Sequence, residues 1–414
     1  MRKIAITLGY ILLLFFDLPY KSAFTQLISP VTVQASPATF ELINNDRVVF
    51  LGNSLFENDL RYGYLELALT TRWPDRNTTF RNLGWSGDTV WGDARSYISP
   101  PSGYNLLLDQ LTKAQPTVVI IGYGAIESEE GEQGIARFNE GLNKLIDKID
   151  QMGARTILLS PHPVMATLSS HEMDTRNALL ALYTSAIAKT ATDRGKHFID
   201  IFHPLLEQTK TIALSDNGFH LNEKGYYYLA ATIEKELGFV SRNASVLVDA
   251  SRQTVEAKST SKVLAWSKNK DHIQFSIDEN YLPLPFPQQI EIPAGNRQKL
   301  TVNGLKKGIY TLSIDNCQVA TASASQWAAG VEIRQGTAVD QAKQLQELII
   351  KKNELFFHQY RPQNKTYILG FRSHEQGRHT KGLEELQILI NWLEGQIAIK
   401  RMPKTRVYEL IRVN

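Results

Sequence analysis

Phe50-Leu51-Gly52-Asn53-Ser54-Leu55-Phe56-Glu57-Asn58 is the stretch on which the fold turns. It ends a short apolar run at 47–51 and passes at once into residues with helical spacing. The glycine at the joint allows the tight turn of a strand-to-helix connection. Reading outward, further strands are expected over 79–82, 117–122, 156–160 and 197–201. Helices are expected around 64–72, 105–113, 135–152, 174–193 and 223–237, each with apolar residues three and four apart. This alternation predicts an α/β domain with a three-layer α/β/α arrangement and a parallel sheet. Ligands in such sheets bind beyond the carboxyl ends of the strands, which directs attention to the loops starting at Gly52, Leu83, Tyr123 and Pro161.

Three segments place reactive groups in those loops. Ser54, lifted to the start of a helix, suits either a nucleophile that attacks a carbonyl or an N-cap. In "NLGWSGDTV" (82–90), Gly87 can turn a backbone N–H toward a developing oxyanion. In "LSDNGFHLNEKGY" (214–226), His220 stands just before the last helix, where it can act as a base for Ser54 or cap its helix. Trp85 and Trp91 flank the glycine loop and are either a stacking surface for a sugar or core residues.

Taken in this order, the segments resemble the SGNH (GDSL-type) hydrolases, serine esterases and lipases on a flavodoxin-like three-layer fold, over about residues 46–237. "YGYLELALTTRWPDRN", "FRNLGWSGDTVWGDARS" and "KNELFFHQYRPQNKTYILGFRSHEQG" are also similar to a subgroup of large SGNH-domain proteins from planctomycete-type bacterial genomes. The resemblance implies that Ser54 is the nucleophile and His220 the general base. It also implies that the N–H groups of Ser54 and Gly87 are oxyanion donors, and that no metal or organic cofactor is needed.

Three positions depart from the family pattern. Asn53 replaces the Asp of Gly-Asp-Ser-Leu. Ile126, in "YGAIES", stands where the family carries an Asn whose amide is a third oxyanion donor, and loss of such a donor costs about 3 kcal/mol of transition-state stabilisation. Asn217 stands three residues before His220, where the family places Asp, and the acid is Asp216, one residue earlier. Asp216 is expected to orient His220. The expected function is an exported serine esterase that removes an acyl group, acetyl first, from a carbohydrate or similar polar ester. The alternative, which Ile126 favours, is a catalytically degenerate SGNH domain serving as a glycan-binding or envelope scaffold module.

The remaining chain is expected to divide into a signal peptide or anchor with spacer (1–35), the SGNH domain (36–240), a linker (241–262), a small β-sandwich-like region (263–335) and a helical C-terminal region (336–414). Met1-Arg2-Lys3 and the 13 uncharged residues from Ile4 to Phe16 have the form of an export signal, so the body is expected in the periplasm, in the envelope or outside the cell. Membrane contact is expected only through that segment. Period-two alternation at Ile273, Phe275 and Ile277 and at Tyr310, Leu312 and Ile314 predicts strands. The spacing of Ala342, Leu345, Ile349 and Phe356, and of Leu386, Ile390, Leu393 and Ile397, predicts a pair of amphipathic helices.

Charge narrows the partners. With 45 Lys and Arg against 42 Asp and Glu, the net charge of +3 makes no case for nucleic acid. The single cysteine, Cys317, excludes an internal disulfide and a cysteine-based metal cluster. His374 and His379 in "HEQGRH" are five apart with Gly377 between them, which does not suit a helical zinc pair. His358, Arg361, Arg372 and Arg378 form a basic patch near Phe356, Phe357, Tyr360 and Phe371. It is either ordinary surface or a cover for the cleft.

Overall fold

β1 (Arg47–Gly52) is apolar from Val48 onward, where it is buried on both faces. Its side chains alternate, so Val48 and Phe50 join one hydrophobic cluster and Val49 and Leu51 another. The computed structural model describes residues 40–96, 101–165, 169–240, 242, 245–257, 261–267, 271–287, 298–361 and 380–413. β1 leads into the short helix α1 (Ser54–Asp59) and then α2 (Tyr64–Arg72). With β2 (Thr79–Asn82), β3 (Val118–Gly122), β4 (Arg155–Leu159) and β5 (His197–Ile199) it forms a parallel sheet of order β2-β1-β3-β4-β5. α3 (Gly103–Ala114), α4 (Ile135–Gln151) and α5 (Ser170–Arg194) pack on the face of Val49 and Leu51. α6 (Phe202–Gln208) follows β5, and α7 (Glu223–Glu236) joins α2 on the face of Val48 and Phe50. This is the three-layer α/β/α fold expected from the sequence, followed by a β-rich region and C-terminal helices.

The stretch expected to be a linker, 241–262, instead holds strands. β6 (Ser245–Asp249), β7 (Thr254–Glu256) and the start of β8 (Ser261–Trp266) lie there. β7 and β8 are edge strands with little burial, so their composition is that of a spacer. β9 (His272–Asp278), β10 (Lys299–Asn303), β11 (Ile309–Ile314) and β12 (Cys317–Ser323) come next, then α8 (Ala324–Ala329) and β13 (Val331–Glu332). The sheets β13-β10-β6-β7 and β12-β11-β14-β9-β8 face each other across a shared core that includes Val248, Phe275, Leu312 and Trp327. Here β14 is Thr405–Val413. The region expected to be helical to its end therefore sends its last strand back between β9 and β11.

Before that return, α9 (Thr337–Tyr360) and α10 (Thr380–Lys400) pack as a pair. α9 is built into the parallel-sheet domain. Ala342, Leu345 and Ile349 join the Phe50 cluster, and Phe356, with Ile390 of α10, joins the Leu51 cluster. Lys352, with no exposure, donates to both carboxylate oxygens of Glu66 at 2.7 Å and to the Phe80 carbonyl at 3.0 Å. Asn353 adds a 2.9 Å bond to Glu66. Burial pushes the Glu66 carboxyl up and the Lys352 amine down, against the attraction of the pair. A second buried cluster anchors the start of the sandwich: Arg242 and Arg72 both bind Glu234, and Arg242 also reaches Thr71 Oγ1 at 2.8 Å. Burial alone would raise the Glu234 carboxyl, but the two guanidinium groups hold it below its ordinary value. Among the described residues no helix is long and apolar enough to cross a membrane.

These buried charges set two expectations for stability. Lys352→Ala leaves Glu66 buried and unpaired, so it should cost about 3–5 kcal/mol in denaturant unfolding, while the paired change Glu66→Leu with Lys352→Met should stay near wild type. Asp59 at the end of α1 accepts from Tyr64 N and Leu65 N without a cation, and burial pushes it up to about 8. A carboxyl raised in the folded state favours folding below its unfolded value of 3.8 and loses that contribution as pH rises through about 8. The unfolding midpoint should therefore fall between about pH 4 and 8, and Asp59→Asn should flatten the slope.

Candidate active site

The carboxyl end of β1 is crowded in a way that requires glycine. A Cβ on Gly52 would lie 2.5 Å from the Gly122 carbonyl oxygen and 2.8 Å from the Phe56 ring. The next residue, Asn53, is the N-cap of α1, its side chain accepting from Leu55 N at 3.1 Å. Ser54 is thus the first helical residue and is not used as the cap. Its hydroxyl is half-buried and makes no hydrogen bond among the described residues.

The glycine loop is tied to this turn at several points. Trp85 N donates to the Gly52 carbonyl at 2.9 Å, Gly84 N is held by Asn82, and Ser86 N donates to Glu57 of α1. Gly87 is exposed, with φ +77°, a value that favours glycine, and its N–H has no partner among the described residues. Asp88, fully buried, anchors the loop: it takes Arg95 Nε at 2.7 Å and the Tyr123 hydroxyl at 2.8 Å. Burial raises its carboxyl, with Arg95 acting against the rise. Glu127, in the loop after β3, is a similar anchor, accepting from Val90 N at 2.9 Å and Gly124 N at 2.8 Å, and burial pushes it up to about 7. Ile126, beside it, is 36% exposed and offers an apolar side chain where the resemblance would have an amide.

The loop before α7 corrects the expectation for Asp216. Asp216 accepts from Asn222 Nδ2 at 2.8 Å and does not bond to the imidazole. Asn217 does: its Nδ2 lies 3.1 Å from His220 Nδ1. The reason is the turn itself, since Asn217 Oδ1 accepts from the backbone N–H of Phe219 at 3.0 Å and of His220 at 2.8 Å. Those donors fix the amide with its oxygen toward the backbone and its nitrogen toward the ring. An amide N–H can only donate, so His220 Nδ1 must accept, and in the neutral ring the proton then sits on Nε2. No hydrogen bond joins Ser54 to His220.

Neither tryptophan offers an open platform. Trp85 is buried, with the Arg361 and Arg95 guanidinium carbons 4.0 Å and 5.3 Å from its ring. Trp91 lies against α4, where a Cβ on Gly141 would touch its indole at 2.8 Å, and its Nε1 donates to the Arg137 carbonyl at 3.3 Å. Of the basic patch, Arg361 bonds to Glu57 at 2.8 Å and its neighbour Tyr360 to the Gly84 carbonyl at 2.7 Å, so the end of α9 braces the turn that carries Ser54. Arg372, Arg378 and the "HEQGRH" histidines lie outside the described residues.

Sequence reading missed His162. It stands between Pro161 and Pro163 at the carboxyl end of β4, in one of the loops singled out for chemistry, and it is buried. Its loop is joined to the His220 loop by Met165 N donating to the Gly218 carbonyl at 2.8 Å. Burial lowers its pKa, and the nearby His220 adds to the fall.

Residues 50–228 match the GDSL-like lipase/acylhydrolase family model. Among solved structures, a gut microbial diltiazem-metabolizing enzyme aligns with a TM-score of 0.70 at 19% identity, covering 91% of this chain and 99% of its own. A catalytic mutant of an acetylxylan esterase from Geobacillus stearothermophilus aligns with a TM-score of 0.40 at 18% identity, covering 48% of this chain and 97% of its own. No curated protein matches the sequence. The chain therefore carries, over residues 50–228, a domain of the GDSL-like lipase/acylhydrolase (SGNH) family.

Proposed function

We propose that this domain is a serine esterase in which Ser54 attacks the carbonyl of an acyl ester, with the N–H groups of Ser54 and Gly87 receiving the oxyanion. The observation that carries the reading is the Ser54 hydroxyl: Asn53 takes the capping role, and among the described residues neither Ser54 Oγ nor the N–H of Gly87 in the glycine loop has a hydrogen-bond partner. A positioned nucleophile and preorganised donors are the two largest requirements of acyl transfer. A short acyl group such as acetyl, on a carbohydrate or similar polar alcohol, is the first class to screen. That preference now rests on family analogy, because Trp85 and Trp91 are both occupied in packing. His220 holds the family-order place of the base, on condition that its proton moves from Nε2 to Nδ1. Export rests on the charged start and the uncharged run from Ile4 to Phe16.

A second reading, a glycan-binding or scaffold module, is favoured by Ile126 at the missing amide and by Asn217 at the place of the orienting acid. A fluorophosphonate probe separates the two. Mass spectrometry should find the adduct on Ser54 and none in Ser54→Ala. A folded protein that takes no label on Ser54 supports the binding module instead. If the enzyme reading holds, Ile126→Asn restores one oxyanion donor and should raise turnover of a p-nitrophenyl acetate reporter by about 10- to 1000-fold. An unchanged rate would mean that position 126 does not face the developing charge.

A further inference from the structure

We propose that the chain pairs with a second copy of itself through the outer face of α10, the two copies of the helix lying antiparallel. α10 is apolar on two opposite faces. Ile390, Leu393 and Ile397 are buried on the side that packs against α9. About half a turn round the helix lie Ile388, Trp392 and Ile399, which are 70%, 60% and 71% exposed. Leu389 and Met402 flank them and stand open to solvent as well. A helix that is apolar on all sides belongs in an interior, and a contiguous apolar face left in water marks a contact surface.

The spacing of the exposed stripe identifies its occupant. Positions 388, 392, 395 and 399 follow the steps of four, three and four residues that line the seam of a helix pair. The third of them is Gly395, where a Cβ would meet nothing within 4 Å, so the stripe carries an open notch beside its largest side chain. Turned end to end about a point between Leu393 and Glu394, the stripe maps onto itself. Ile388 then falls opposite Ile399 of the second copy, and Trp392 falls opposite its Gly395. One two-fold axis seats both indoles in both notches, the self-complementarity that an isologous dimer requires. A parallel pair would set indole against indole and glycine against glycine, one layer overfilled and the next empty. A bilayer would take up the apolar area and make no use of the notch.

The area is sufficient. The exposed parts of Ile388, Leu389, Trp392, Ile399 and Met402 amount to about 600 Å² per copy, or about 1,200 Å² over a pair, the lower end of what stable, specific interfaces bury. The face is also held in place before it meets a partner. Glu394 accepts from Arg81 of β2, and the Gln341 side chain of α9 donates to the Lys400 carbonyl at 2.6 Å. Pairing therefore has little ordering to impose on the helix.

Sedimentation of the full-length protein should show a dimer that dissociates on dilution. Trp392→Asp should weaken the association by about 30-fold or more, with the thermal midpoint of the separated monomer unchanged. Gly395→Leu tests the notch. It adds apolar surface and replaces a helical glycine, so it would strengthen any contact that depended on apolar area alone, yet it should weaken this pair by about 10-fold or more. Orientation is read by cross-linking in a Cys317→Ser background, since Cys317 is free and exposed. Ile388→Cys combined with Ile399→Cys should join two copies on mild oxidation, and Ile388→Cys alone should not. A wild-type monomer at concentrations up to about 100 µM, a dimer that Trp392→Asp leaves intact, or no weakening in Gly395→Leu would overturn the pairing. A cross-link from Ile388→Cys alone would overturn the antiparallel arrangement. A monomer that binds vesicles of phosphatidylethanolamine and phosphatidylglycerol, and loses them in Trp392→Asp, would overturn it in favour of a membrane surface.

Discussion

The buried pair Glu66–Lys352 is the constraint on which the arrangement of the chain depends. Two charges withdrawn from water are costly, and only close mutual contact with further hydrogen bonds makes their burial tolerable. Glu66 lies on α2 inside the parallel-sheet domain, and Lys352 comes from a helix nearly three hundred residues later. Because neither can be left alone, α9 has one permitted seat, against α2 and the outer strand β2. From that seat Phe356, Tyr360 and Arg361 reach the glycine loop and α1. The strand β14 is returned by the same helical pair to the middle of the second sandwich sheet. The parallel-sheet domain and the C-terminal region are thus parts of one compact unit.

The site shows the same logic at smaller scale. Asp88 and Glu127 are buried acids that hold loops rather than substrates. Each binds groups from two loops, so the glycine loop and the loop after β3 are locked in register. Around this rigid frame the hydrogen-bonding character of one side chain sets the chemistry of another. An amide at 217 can satisfy the turn as an aspartate would, but it presents N–H to the imidazole, and that inverts the tautomer. A carbonyl beside His162 does the opposite. Proton location at this site is decided by the donor or acceptor a few ångströms away, whatever the histidine's place in a motif.

Much of the first domain was legible because it rests on local periodicity. The runs at 47–51 and 79–82, the joint at Gly52 and the helices around 64–72 and 223–237 express burial on one or two faces, which period alone conveys. The pair 337–360 and 380–400 was legible for the same reason. Residues 254–266 were not, since edge strands with little burial carry no clear apolar alternation. β14 was missed because its partners β9 and β11 lie far back in the chain.

The sequence by itself determined the layer order, the strand-to-helix turn that lifts Ser54, and the departures at Asn53, Ile126 and Asn217, for each is a matter of residue type at a counted position. Tertiary structure alone decided that Asn217 and not Asp216 meets His220, that Trp85 is shielded by Arg361 and Arg95, and that His162 stands beside the His220 loop. The physical reason is that hydrogen-bond direction and burial depend on atoms brought together from distant segments, and no spacing along the chain encodes which way an amide or an imidazole will face.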